Sequence, residues 1–243
     1  MSFKYERLDK DNVVLLVVDH QEGLFQLAGD QSPVQMKNNI LAHAALGKIF
    51  GLPTILTTSA ETGPNGPLPA EIIAMHPTAP FIKRNGEVNA WDNADFRAAV
   101  EATGKKQVIM AGITTDVCTA FLALSLVEAG YTVFANSDAS GTFDTKTASE
   151  ANDRMRAAGV QVLSMFAVAC ELMRDWRNTP GATEMMPFFD TWVFVDLSLR
   201  GTGKLTDLCW TPSVRYLPQY GFLARAHDAA IANGTPSGLP APQ

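Results

Sequence analysis

The sequence predicts an α/β fold of three layers, with a six-stranded, mostly parallel sheet between two layers of helices. Three observations lead there. Short apolar runs alternate with segments whose apolar residues recur at helical spacing, the β-α-β-α order that builds parallel sheets. The run from Asn12 to Val18 is almost continuously apolar, as a strand buried on both faces requires. Glycines close the helical stretches at Gly51, Gly130 and Gly159.

The elements follow in order. Asn12 to Val18 is the first strand. Val34 to Phe50 is a helix through Ile40, Leu41, Ala44, Ala45 and Ile49. Pro53 to Thr58 is the second strand, Pro64 to Pro67 a turn, and Pro69 to Met75 a short helix. Phe81 to Arg84 is a short third strand, Asn93 to Thr103 a helix, and Gln107 to Gly112 the fourth strand. Asp116 to Ala129 reads as a helix, Thr132 to Asn136 as the fifth strand, Thr147 to Ala158 as a helix and Val160 to Met165 as the sixth strand. Ala167 to Trp176 is helical in pattern. The regularity fades after Asn178. This divides the chain into a domain at 1–178 and an extension at 179–243, which lacks enough regular apolar pattern for a core of its own.

Composition narrows the function. The chain has 243 residues, and 47% of them are hydrophobic, enough for a sizeable core. A formal net charge of −6 argues against nucleic acid and anionic membrane surfaces. No apolar run approaches the length of a membrane span, and the first residues lack the apolar stretch of a secretory signal. Cys118, Cys170 and Cys209 form an odd set without paired spacing, which fits a reducing, cytoplasmic location. His20, His43, His76 and His227 have no metal-like spacing, so no metal is expected. No glycine-rich phosphate loop follows the first strand, so no dinucleotide or other cofactor is expected.

Ligands of open α/β sheets bind beyond the carboxyl ends of the strands. Three residues with useful chemistry fall there. Asp19 follows the first strand, Arg84 ends the third, and Cys118 follows the fourth after Gly112-Ile113-Thr114-Thr115-Asp116-Val117. Each alone has an ordinary role: a cap, a solvated charge, a small buried hydrophobe. Together they suggest a covalent site. Thr114, Thr115 and Asp116 are candidate caps for the helix that follows. Cys118 would lie in its first turn, where free N–H groups and the helix dipole favour a thiolate of depressed pKa.

Three segments resemble the isochorismatase-like cysteine hydrolases: Val17 to Gln21, Arg84 to Trp91, and Gly112 to Cys118. Thr57 to Pro67, Ser137 to Phe143, Cys170 to Leu172 and Arg174 to Trp176 resemble the YcaC-like subgroup. The resemblance spans about Asp11 to Trp176 and implies the fold of that family. It implies Cys118 as nucleophile and Asp19 as the acid that takes its proton. The third member is Arg84, with Lys83 as the competitor; the family more often has Lys there. Alternation along a strand lets only one of the two reach the site, and an arginine there acts as a fixed cation. The resemblance further implies a cis peptide at Ile113–Thr114 and an oxyanion hole formed by the N–H groups of Thr114 and Cys118. Gln21, Glu61, Asn89 and Trp91 are candidate pocket residues, with a core role for Trp91 as the competing reading.

The implied activity is hydrolysis of a small amide or related acyl compound through a thioester on Cys118. Two alternatives stand beside it. One is a thiol redox sensor with Cys170 as the resolving thiol; the other is an assembly protein that keeps the pocket without using it. The resemblance also implies a homo-oligomer, a tetramer or octamer. The aromatic residues of the extension, Phe188, Phe189, Trp192 and Phe194 and, beyond them, Trp210, Tyr216, Tyr220 and Phe222, suggest that Met186 to Leu199 contributes to a subunit contact.

Overall fold

β1 (Val13–Val18) is buried along its whole length and lies at the middle of the sheet. The computed structural model describes residues 5–193. Beside β1 lie β2 (Thr54–Ser59) and β4 (Gln107–Gly112), both also buried throughout. β3 (Phe81–Arg84) forms one edge beyond β2; β5 (Thr132–Asn136) and β6 (Gln161–Leu163) complete the other side. The order is β3-β2-β1-β4-β5-β6, with every neighbouring pair parallel. The expected six-stranded α/β sheet is therefore present.

Helices cover both faces. α1 (Pro33–Ile49) begins where Ser32 Oγ accepts the Gln35 N–H and Pro33 takes the first helical position. α2 (Ala70–Met75) is short. α3 (Ala94–Ala102) is capped by Asn93, whose side chain accepts the Phe96 N–H. On one face of the sheet, Val14, Leu16 and Val18 of β1 and Val108 and Met110 of β4 share a core with Phe96 and Val100 of α3 and with Leu122 and Leu126 of α4 (Ala120–Glu128). The strand pattern puts the odd-numbered residues of β1 on the opposite face, toward α1, where His43 of α1 meets the Leu16 carbonyl. α5 (Thr145–Ala157) starts two residues earlier than its apolar pattern indicates, because Asp144 caps it by accepting the Thr147 N–H. β6 is only three residues long, and α6 (Met165–Met173) begins where strand character was expected to continue. The Met165 N–H is capped there by Asp138 Oδ2 at 2.7 Å.

The largest departure lies after β4. A regular helix from Asp116 was expected; instead Thr115–Thr119 forms a π-helical turn, and α-helical geometry begins at Ala120. The Thr119 N–H reaches back five residues to the Thr114 carbonyl. Thr114 makes no side-chain cap, and the Asp116 carboxylate is used elsewhere, accepting the Thr142 hydroxyl at 2.7 Å.

By its internal contacts the chain divides into two units, Met1–Leu172 and Met173–Gln243. In the second, α7 (Ala182–Phe188) begins with the Gly181 N–H donating to Glu184 Oε2 at 2.8 Å and leads into a π-helical turn at Phe189–Val193. The rings of Trp176 and Phe188 each meet Phe189 edge to face. The expected helix to Trp176 stops at Met173, and Arg174 follows in a left-handed conformation at φ 67°. Phe194, Leu199, Cys209, Trp210, Tyr216, Tyr220 and Phe222 lie outside the described residues. Among the described residues no helix is long and apolar enough to cross a membrane.

Candidate active site

The chain runs outward from β1 to β2 and β3, then returns to β4 on the other side of β1. The carboxyl ends of β1 and β4 thus border the point where strand order reverses, the usual crevice for a ligand. Asp19 leaves β1 there, and the loop carrying Cys118 leaves β4.

Asp19 has φ 52°, a left-handed conformation uncommon outside glycine but tolerated by Asp. Its N–H is held by the Thr57 carbonyl at 3.1 Å. The carboxylate is completely buried, and Oδ1 accepts Arg84 Nη2. Oδ2 accepts no hydrogen bond of ordinary geometry from a described residue. Burial pushes the carboxyl pKa upward, while the Arg84 charge and hydrogen bond and the Cys118 thiol oppose that shift.

Arg84 ends the edge strand, yet its side chain is fully buried. It crosses above β2 to reach Asp19. Nε donates to Thr57 Oγ1 at 3.0 Å on the way, and Nη1 donates to the Glu87 carbonyl. In register, Arg84 pairs with Ser59 and Lys83 with Thr58, so the two cations leave opposite faces. Lys83 Nζ is more than half exposed and binds Glu61 Oε1 at 3.0 Å. Of the two basic residues, Arg84 is the one beside Asp19.

Cys118 is partly buried and carries no disulfide. Its thiol lies beside the Asp19 carboxylate, close enough to feel that charge, and the Thr114 N–H is directed toward its sulfur. The Ile113–Thr114 peptide is cis. The thiol pKa is not depressed as the helix-start argument anticipated. Burial, then the Asp19 charge and hydrogen bond, push it up to about 12, with Arg84 and the Thr114 N–H opposing. The proton thus rests on the Cys118 sulfur, beside a buried carboxylate. A thiolate forms here when Asp19 takes that proton, which leaves the net charge of the trio unchanged.

The remaining candidates divide. Gln21 is buried, and its amide is used on backbone: Nε2 donates to the Ser59 carbonyl at 3.0 Å and to that of Gly66, and Oε1 accepts the Ser59 N–H at 2.8 Å. It clamps the end of β2. Glu61 is bound by Lys83 and by Thr58 Oγ1 on the opposite face of the sheet, away from Arg84. Asn89 caps a short turn through the Trp91 N–H and donates to Ser125 Oγ at 2.9 Å. Trp91 packs on the core and meets Tyr131 edge to face. The structure brings together Asp19, Arg84, Cys118 and Thr114, and gives these other four local structural partners.

Residues not anticipated also shape the site. Thr57 and the Glu87 carbonyl fix the guanidinium. The nucleophile loop is held by the Gly141 carbonyl, which accepts the Thr115 N–H at 3.0 Å, and by the Thr142–Asp116 contact. His20 is buried, and its Nε2 lies 2.8 Å from the Ala139 carbonyl, so Nε2 carries the proton. It ties the residue after Asp19 to the loop that supports the nucleophile. Strand alternation alone places Thr57 and Arg84 on one face only once the β2–β3 register is known, and a single sequence does not fix that register.

The Isochorismatase domain matches residues 13–166. The chain belongs to the isochorismatase family. It is 57% identical over 178 residues to the probable hydrolase YcaC of Escherichia coli K12, covering 73% of this chain and 86% of that protein. The E. coli YcaC crystal structure, described as an octameric hydrolase of unknown specificity, superposes with TM-score 0.78 and 52% identity over 82% of this chain and 97% of that one. YcaC from Pseudomonas aeruginosa, solved with hexane-2,5-diol and covalent acrylamide, gives 0.78 and 51% over 82% and 98%. The chain is therefore a YcaC-like hydrolase with the α/β fold of that family.

Proposed function

We propose that this hydrolase cleaves a small amide or related acyl compound through a thioester on Cys118. The coupled Cys118–Asp19–Arg84 chain is the observation that supports this reading most directly. The Cys118 proton passes to Asp19 Oδ2, the carboxylate oxygen that Arg84 leaves open. The sulfur forms a bond to the carbonyl carbon, and the carbonyl electron pair moves onto oxygen. That oxyanion lies against the N–H groups of Thr114, already directed at the sulfur, and Cys118. As the oxyanion collapses, the C–N bond breaks and the amine takes the proton from Asp19. Water then attacks the thioester, giving its proton to Asp19. The C–S bond breaks, and the thiol recovers that proton. Arg84 stays charged throughout, because arginine does not release its proton in the working pH range. It holds Asp19 in place and offsets the charge that develops.

The P. aeruginosa relative holds acrylamide covalently; in this chain we assign the capture of such electrophiles to Cys118. A panel of small amides and nitriles, scored by ammonia release and by mass-spectrometric trapping of a Cys118 adduct, tests the reading. Turnover that survives in Cys118→Ser would overturn it. We further propose a homo-oligomeric assembly, supported by the octameric E. coli relative.

A further inference from the structure

The charges at the mouth of the site are arranged to one side. Each of the loops that follow β1 to β5 at the carboxyl edge of the sheet carries at least one Asp or Glu, and none carries Lys or Arg. Asp30, Glu87, Asp116 and Asp144 are examples; Glu61, the acid of the loop after β2, is paired with Lys83 on the other face. Hydrogen bonds from Asn93, from the Glu87 N–H and from Gly86 hold the Glu87 carboxyl down at about 2, so it is ionised at any working pH.

The cations near this edge are already engaged. Arg84 is sealed under the surface against Asp19. Lys83 is paired with Glu61 on the other face, and Lys146, just inside α5, is paired with Glu150. Arg97 donates to the Trp91 carbonyl, and Arg154, well down α5, lies over the Phe121 ring. Of the trio, only Cys118 is partly open.

The trio itself is neutral in sum, whether the proton lies on sulfur or on Asp19. A carboxylate entering beside Cys118 would add an uncompensated negative charge in a partly desolvated crevice, facing an acidic rim, with no Lys or Arg in the loops of that edge to receive it. We propose that the site selects uncharged carbonyl compounds and discriminates against acyl substrates that carry a carboxylate. This deepens the reading of Cys118 as nucleophile and rests on it.

Two alkylating agents of nearly equal size, neutral iodoacetamide and anionic iodoacetate, test the selection without a known substrate. Rates at Cys118 in the full-length protein are followed by peptide mapping at one pH, so that the thiolate fraction cancels from their ratio. The iodoacetamide-to-iodoacetate ratio should exceed that of 2-mercaptoethanol by about tenfold or more at low salt, the scale of electrostatic steering at a charged cleft. Added salt should narrow it, as screening requires. Glu22→Lys, an exposed change in the loop after β1, should raise the iodoacetate rate and leave the iodoacetamide rate unchanged. A ratio equal to that of the small thiol overturns the charge selection and leaves the nucleophile in place. A folded protein whose Cys118 resists both reagents overturns the nucleophile, and the selection with it.

Discussion

Asp19 Oδ1 accepts a hydrogen bond from Arg84 Nη2 with both side chains wholly buried, one from the middle strand and one from the edge strand. A buried pair of this kind is most damaging when one member is removed, because the other charge stays behind without compensation, at about 3–5 kcal/mol. Arg84→Ala and Asp19→Asn should therefore each lower stability by about that order as well as abolish turnover. Arg84→Lys keeps a charge but gives up the fork that reaches Thr57, Glu87 and Asp19 together. It should keep partial activity and a smaller stability loss. Urea unfolding beside turnover checks the set. A fully stable Arg84→Ala would contradict the pairing.

The raised Cys118 pKa gives a prediction of definite sign. The Asp19 charge is one of the causes that push the thiol to about 12, and Asn carries no charge. In Asp19→Asn, the pH at which Cys118 alkylation becomes rapid should move down relative to wild type, while turnover is lost. Alkylation and catalysis thus separate. If the alkylation profile of the variant moves up or stays put, Asp19 does not act on the thiol as described.

Most of the fold could be read from the sequence, because a parallel sheet buries its strands on both faces and leaves near-continuous apolar runs between helical spacings. Val13–Val18 and Gln107–Gly112 illustrate this. Boundaries fixed by single hydrogen bonds were less visible. Asp144 capping α5 and Asp138 capping α6 are individual contacts that leave no periodicity. The π-helical turn at Cys118 leaves no mark in the sequence, because its residues are compatible with an ordinary helix start. The turn is fixed from outside, by the Gly141 carbonyl and Thr142, distant in sequence. The thiol pKa is hidden for a related reason: spacing shows a helix terminus, but not the burial and the Asp19 charge that outweigh it. Glu61 is a pocket candidate in the sequence, and its contacts with Lys83 and Thr58 hold it on the opposite face.

Two buried imidazoles set an acid limit on stability. His20 and His43 meet edge to face at 5.9 Å and are both fully buried. Burial pushes His20 down to about 3 and His43 to about 4. The unfolded chain binds these protons near pH 6.5. Between that pH and about 4 the unfolded state therefore holds more protons, so stability present above 6.5 is lost as pH falls, by several kcal/mol in all. Unfolding free energies at pH 7, 5.5 and 4 should show the decline. His43→Gln keeps an N–H donor for the Leu16 carbonyl but cannot titrate. Its profile should be flatter, and an unchanged slope would remove His43 from the account.

Truncation after Asn178 removes α7 and everything beyond it. If Met186 to Leu199 contributes to a subunit contact, the shortened chain should lose subunits or aggregate. Light scattering that returns a soluble particle with the full-length subunit number would exclude that contribution.

Gly112 is the last residue of β4 and pairs with Val18, the residue before Asp19. A Cβ built on it would lie 2.6 Å from the Val18 carbonyl oxygen and 2.9 Å from Thr119 Oγ1. The first of these is backbone and cannot swing away. An alanine here must force apart the ends of β1 and β4, and those two ends carry Asp19 and the Cys118 loop. Overpacking of this kind typically costs about 1–3 kcal/mol. The larger effect should fall on catalysis, since a displacement on the order of 1 Å between reacting groups costs roughly a hundredfold. Gly112→Ala is thus expected to melt only a few degrees lower while kcat drops by about two orders of magnitude. Gly104→Ala supplies the contrast: its Cβ meets nothing within 4 Å, though its φ of 66° gives it backbone strain of its own. It should lose stability without a comparable loss of kcat. Equal kcat losses in the two variants would show that the spacing of β1 and β4 does not set the geometry of the trio.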